Sequence, residues 1–199
     1  QANLFSIALD TSEEWFRFHH LFQAMLQDQA LTELGSEAIG ELQTRASLWF
    51  EEHEFIADAI RHALIADKGD EAASVIIRHR NKIMNNEWWH QLDIWLHWLP
   101  PNIIASRPEL QLMKARVFRT KGQNAELVQA LDAAELLLDT AGNEDVATSE
   151  LYGSLASMRC YQFYAQSDGE AAIRAARQAL ELLPPYDLAE RGFAMILLG

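Results

Sequence analysis

The chain has 199 residues, enough for one domain or for one domain and part of another. Its 49% hydrophobic and 23% charged residues match an ordinary globular composition and exclude intrinsic disorder. A formal net charge of -13 opposes nucleic-acid binding by these residues, because phosphate contacts need a basic patch.

The single cysteine, Cys160, excludes an internal disulfide and fits a reducing compartment. Nine Gly and five Pro are few, which argues for long regular elements. No run of 18 apolar residues exists, so no membrane-spanning helix is expected. There is no initial Met, and no basic stretch followed by an apolar run, so no signal peptide is expected. Gln1 opens inside a strand-like pattern and Gly199 closes inside a helical one, so the chain reads as a piece of something longer.

Residues 1–18 read as a β-hairpin. Leu4, Phe5, Ile7 and Leu9 are strand-like, Asp10 to Glu13 make a polar turn, and Trp15, Phe16 and Phe18 return around Arg17. From His19 the period becomes helical, with Leu21, Phe22, Met25 and Leu26 on one face. This opening unit is too small to hold its own core and reads as the tail of a domain, 1–35.

From Ser36 the chain reads as pairs of short helices, about nine helices in all. The first pair lies near 37–52 and 55–66, with Ala46, Trp49 and Phe50 on one face and Ile56, Ile60, Ala63 and Leu64 on the next. The second lies near 70–85 and 88–98 and stops at Pro100-Pro101. Ser106, Pro108 and Glu109 suggest an N-cap, a first-turn proline and a capping box, with Leu110, Met113 and Val117 following on one face. Leu127, Leu131, Ala134 and Leu138 form a clean stripe that ends at Gly142. Leu151, Leu155, Met158, Tyr161 and Ala165 carry the next helix, then Ile173, Ala176, Leu180 and Leu183 lead to Pro184-Pro185. A last helix starts near Asp187.

Residues 68–76, 121–131 and 167–185 each read as a turn, a polar pair and an Ala-rich helix, at irregular spacing. The fold expected is all-α: a right-handed, degenerate TPR-like helical-hairpin solenoid over 36–199, preceded by the short β-hairpin.

Four tryptophans crowd one helix: Trp88, Trp89, Trp95 and Trp98. They could form a stacking platform for a flat ligand, or core, since Trp88, Leu92, Trp95 and Leu99 share one face. The periodicity favours core and leaves Trp89 and Trp98 as candidate ligand or partner contacts. His90, Asp93 and His97 on that helix could bind zinc, but the spacing is no metal signature and a solvated polar face explains it better. His53-Glu54 begins like HExxH, yet Ala57 stands where the second His is required. Arg78, His79, Arg80 and Lys82 form the one basic cluster; Arg78 and Arg80 are candidate contacts for an acidic partner or a phosphate, against a helix-end reading. Cys160 reads as a buried, inert thiol. No phosphate loop, GxSxG elbow or CxxC pair occurs, so neither a catalytic residue, a metal nor a cofactor is expected within these residues.

The run Trp15-Phe16-Arg17-Phe18-His19-His20-Leu21-Phe22 resembles the aromatic-aromatic-Arg-aromatic-His-x-Leu-aromatic signature of MalT-like, large ATP-binding LuxR-type transcriptional regulators, a STAND class. Ala2 to Phe5 and Leu9-Asp10 resemble that family's hairpin. Arg45 to Glu52, Ala59 to Leu64, Trp98-Leu99-Pro100 and Arg107 to Leu110 then resemble its arm and the start of its sensor region, in the family's order. The resemblance implies a winged-helix tail over 1–35 and the regulatory segment of a cytoplasmic, inducer-responsive activator. ATP or ADP would bind the parent chain outside these residues, and a C-terminal helix-turn-helix beyond them would bind DNA. A small-molecule inducer or regulatory protein would drive self-association. A plain TPR-type scaffold without an ATPase module is the alternative.

Overall fold

A computed structural model describes residues 6–8, 16–142 and 146–198. Strands β1 (Ser6–Ala8) and β2 (Phe16–Phe18) pair antiparallel, with Ile7 opposite Arg17. The expected turn at Asp10 to Glu13 lies outside the described residues. Among the described residues all other regular structure is helical, and the class is all-α. The helices are α1 (His20–Glu52), α2 (Ile56–Ile65), α3 (Gly69–Arg78), α4 (Arg80–Asn85), α5 (Trp89–Trp98), α6 (Pro101–Ala105), α7 (Pro108–Thr120), α8 (Asn124–Ala141), α9 (Val146–Ala165), α10 (Gly169–Leu182) and α11 (Leu188–Leu198). Helix α1 is broken at Gly35, whose φ of 80° and ψ of 166° are not helical.

One connection recurs five times. Glu54, Asp67, Glu87, Gly122 and Ser167 each adopt a left-handed backbone just past a helix. The next amide then bonds the carbonyl five residues back: Phe55 to Phe50, Lys68 to Ala63, Trp88 to Ile83, Gln123 to Phe118 and Asp168 to Phe163, at 2.8 to 3.1 Å. This is the Schellman closure, which satisfies carbonyls the helix end leaves unpaired. That same residue is the N-cap of the following helix in all five cases. Glycine fills the left-handed position once. The other four residues accept a cost of roughly 1–2 kcal/mol each.

Three sequence expectations are corrected. The helix expected over 70–85 divides at His79 (φ -92°, ψ 8°) into α3 and α4. Pro101 begins a helix as well as ending one, because its fixed φ suits the first helical position. The capping box at Ser106 does not form: Ser106 Oγ donates back to the Ile103 carbonyl at 3.1 Å, and Arg107 takes the N-cap position without a side-chain cap. Arg107 reaches instead to Asp70 at 2.8 Å, tying α7 to α3.

Three cores follow one another along the chain. The first holds Ile60, Ile76, Ile83, Leu92 and Trp95 among others, and receives Leu110, Met113 and Val117 from α7. The second takes Leu112 and Ala115 from the other side of α7, with Leu127, Leu131, Ala134 and Leu138 of α8 and Leu155 and Met158 of α9. The third takes Ala156 and Cys160 from the far side of α9, with Ala172, Ala176 and Ala179 of α10 and Ala194 of α11. Helices α7 and α9 are therefore apolar on two faces and serve two cores each. The stripe expected on α8 is buried throughout. On α10 the buried face is alanine, and Ile173, expected inside, is exposed. Trp49 also departs from expectation: it is 43% exposed, stacked on His53 with ring centroids 3.9 Å apart, while Ser47 is buried and donates to the Ala59 carbonyl. Leu21 and Met25 are exposed as well.

Close approach of α9 to the end of α10 needs Gly153. A Cβ there would stand 3.0 Å from the Leu183 amide nitrogen and 3.1 Å from the Leu182 carbonyl carbon, both backbone atoms that cannot rotate away. Gly69 is tight against Ile103 Cδ1, a mobile side-chain end. Alanine favours helix by about 1 kcal/mol over glycine, yet overpacking costs about 1–3 kcal/mol. Gly153→Ala is expected to lower unfolding free energy in urea, and by more than Gly69→Ala; stabilisation by Gly153→Ala would contradict the close contact.

Candidate functional site

A buried ionic centre joins four elements that lie far apart in the sequence. Arg116 of α7 is 3% exposed and Glu190 of α11 is 5% exposed, and the Arg116 Nη2 pairs with Glu190 Oε1. Ser154 of α9 donates to that same oxygen at 3.1 Å. Beside them Arg80 of α4 donates to Glu150 of α9 at 2.9 Å, and the Tyr186 hydroxyl donates to the other Glu150 oxygen at 2.7 Å. Asp187 accepts the Glu190 backbone amide at 3.3 Å, starting α11.

The groups surround a cavity of about 30 Å³, room for about two water molecules on a requirement of roughly 10–15 Å³ each. Burial pushes the Arg116 guanidinium down to about 10, opposed by the Asp187 charge, so it stays cationic at neutral pH. Burial also raises the Asp187 carboxyl, opposed by Arg116 and Arg80. The lining contains neither cysteine nor histidine, and the serine hydroxyl is committed to a carboxylate. What this arrangement does physically is hold α11 against α7, and α4 against α9.

The residues singled out in the sequence do not assemble into one site. Trp89 and Trp98 are half-buried and pack against the first core, as does Trp88. Two of the indoles already carry a cation of this chain: the Arg61 guanidinium lies 4.8 Å from the Trp98 ring and the Lys82 ammonium 5.8 Å from the Trp88 ring. Arg80 belongs to the ionic centre. Arg78 is at the surface, bonded twice to Glu51 at 2.8 and 2.7 Å and once to Glu71 at 2.7 Å. The Arg78 hydrogen bond is the main reason the Glu51 carboxyl is held low. Of the supposed zinc residues, Asp93 is held by Lys121 at 2.7 Å, and His97 Nδ1 sits 2.6 Å from the Asp93 carbonyl. Among the described residues no group of three His, Cys, Asp or Glu is placed to hold a metal. Cys160 is fully buried, and burial pushes its thiol up.

Arg116, Glu150, Asp187 and Glu190 were not singled out from the sequence. The available signal was Arg116 itself, a cation among Leu112, Met113, Ala115 and Val117. Its partner, 74 positions on, carries no local signature.

Comparison with known proteins turns on two matches. Residues 1–38 match the MalT winged helix domain family. Over 181 residues, 91% of the chain, the sequence is 28% identical to the HTH-type transcriptional regulator MalT of Cronobacter sakazakii (strain ATCC BAA-894). The chain is MalT-like. It spans 19% of that relative's length. No solved structure matches.

In this MalT-like chain the ionic centre makes two stability predictions. Removing one member of a buried pair leaves an uncompensated charge, at a cost of about 3–5 kcal/mol, whereas exchanging both for apolar residues is often neutral. Glu190→Ala is expected to show that loss in urea unfolding, and Arg116→Met with Glu190→Leu to recover most of it. A double variant no more stable than the single would contradict the buried pairing.

The second concerns pH. The native Asp187 carboxyl titrates above its unfolded value of 3.8, so its ionisation opposes folding as pH rises through that raised value. Asparagine keeps the cap on the Glu190 amide and removes the charge. Asp187→Asn is expected to melt higher than the parent at pH 7, with the difference vanishing below pH 3.8. An equal difference at both ends of the range would exclude the assigned titration.

Proposed function

We propose that this chain is a regulatory segment of an ATP-dependent transcriptional activator of the MalT type. Residues 1–35 end a winged-helix domain, and 36–199 open a right-handed, TPR-like solenoid. The observation that carries the reading is similarity to a MalT regulator over 91% of the chain, together with the winged-helix match at its start. The succession of cores supports a solenoid, since each unit of such an array buries its apolar faces only against its neighbours.

In this reading the segment is not an enzyme. ATP or ADP binds the parent chain outside it, and DNA is bound by a helix-turn-helix of the LuxR type beyond it. An inducer molecule or regulatory protein engages the helical array and shifts the parent toward self-association in the cytoplasm. A ligand acts this way only by preferring one of two arrangements. The ionic centre is suited to such a role because displacing α11 from α7 must expose or unpair Arg116 and Glu190. Among the described residues no helix is long and apolar enough to cross a membrane.

The test is made on the parent protein. Its sedimentation and its transcription from a cognate promoter are measured with ATP, with inducing cell extract, and with both. Self-association and transcription requiring both are expected, and Arg116→Ala is expected to change the extract dependence while leaving ATP binding intact. A parent gene with no phosphate loop and no helix-turn-helix would overturn this reading in favour of a TPR-type scaffold.

A further inference from the structure

A groove between α5, α6 and α7 differs chemically from the acidic surface around it. Its volume is about 420 Å³, within the range of about 300–1,000 Å³ typical of small-ligand sites. Leu96, Leu99, Ile104, Val117 and Phe118 give it an apolar lining. Gln111, 7% exposed, also lines it. The Gln111 Nε2 donates to the Ile104 carbonyl at 3.2 Å, and among the described residues no group donates to its Oε1.

The lining carries Lys114, Lys121 and one carboxylate, Asp93, a net positive charge on a chain whose formal charge is -13. Lys114 and Lys121 both stand there, and only Lys68 and Lys82 are found elsewhere in the sequence. Lys121 is held by Asp93 at 2.7 Å, and His97 Nδ1 lies 3.5 Å from the other Asp93 oxygen. Lys114 makes no ion pair among the described residues; its ammonium lies 5.5 Å from the Phe118 ring centroid. The chain has 29 acidic and 16 basic residues, so carboxylates are plentiful, yet none has been brought to this cation.

We propose that the groove binds a small amphipathic carboxylate, an acid with an apolar body of medium length. The body lies on the Leu96, Ile104 and Val117 side chains and the carboxylate meets Lys114, with Lys121 as a second donor beside its Asp93 bridge. A charge-assisted bond of this kind is stronger than a neutral one, and it sits beside apolar surface where water screens it less. The inorganic anion alone gains no apolar burial, a neutral alcohol gains no ionic contact, and an amine is repelled by the unpaired Lys114 ammonium. The inference rests on the groove's own chemistry and holds whether or not the regulatory reading does.

Titration calorimetry of the chain with octanoate, octyl phosphate, 1-octanol and octylamine tests it. Octanoate is expected to bind with one-site stoichiometry, at least tenfold more tightly than 1-octanol, with octylamine weaker still. Lys114→Ala is expected to weaken octanoate at least tenfold and leave 1-octanol unchanged, and Lys114→Arg to restore binding. Ala105→Trp, on the groove's edge and exposed, is expected to block both ligands, with circular dichroism confirming that each variant folds. Equal binding of octanoate and 1-octanol, no octanoate binding at millimolar concentration, or an unaltered Lys114→Ala would overturn the proposal. Tighter binding of octyl phosphate than octanoate would overturn its carboxylate class. None of these results depends on ATP, DNA or self-association, so failure here and failure of the regulatory reading are told apart.

Discussion

Two helices carry the architecture because each is shared between two cores. Helix α7 sends Leu110, Met113 and Val117 to one core and Leu112 and Ala115 to the next, and α9 divides Leu155 and Met158 from Ala156 and Cys160 in the same way. Each leucine, methionine or valine buried this way contributes on the order of 1.5–3 kcal/mol. No core is complete without a helix that also belongs to another. The outer helices are built differently: α8 and α10 each commit a single stripe to one core.

That division explains which parts of the fold could be read from the sequence. The stripe Leu127, Leu131, Ala134 and Leu138 was legible because α8 has one apolar face and therefore a clear period. Helices α7 and α9 were each legible from one apolar face, Leu110, Met113 and Val117 on α7 and Leu151, Leu155 and Met158 on α9, while the second face that each gives to another core was not. The repeated turn was half legible. Gly122 announced its left-handed backbone, but Glu54, Asp67, Glu87 and Ser167 have the same geometry with side chains that do not advertise it. Gly69 and Gly169 stand beside two of these turns but lie inside the helix that follows, not at the left-handed position. Ser106 had the right neighbours for a cap but donated to Ile103 instead, a choice between two backbone acceptors that local sequence does not decide.

The candidate residues show the same limit at the level of side chains. Trp89, Trp98, Arg78 and Arg80 were conspicuous by type, and the structure finds two against a core and two already paired with carboxylates. The groups that make the ionic centre were inconspicuous because its logic is long-range. An arginine inside an apolar helix signals that an acid must arrive from somewhere, but which acid depends on how three cores stack. Burial of a charge pair costs several kcal/mol of desolvation per ion, so its presence records a constraint on arrangement more than a source of stability.

The recurrence of one turn also bears on how such a chain can change in length. Glu54, Asp67, Glu87, Gly122 and Ser167 end their helices with the same closure and hand the backbone on in the same geometry. A deletion joining Glu54 to Asp67, or Asp67 to Glu87, removes whole helices, leaves α7 and α9 untouched and keeps a connection the fold already uses. A cut inside α7 or α9 instead strips a face from two cores at once. A change in length at those turns therefore keeps the backbone closure and the two shared helices together, and a change elsewhere does not.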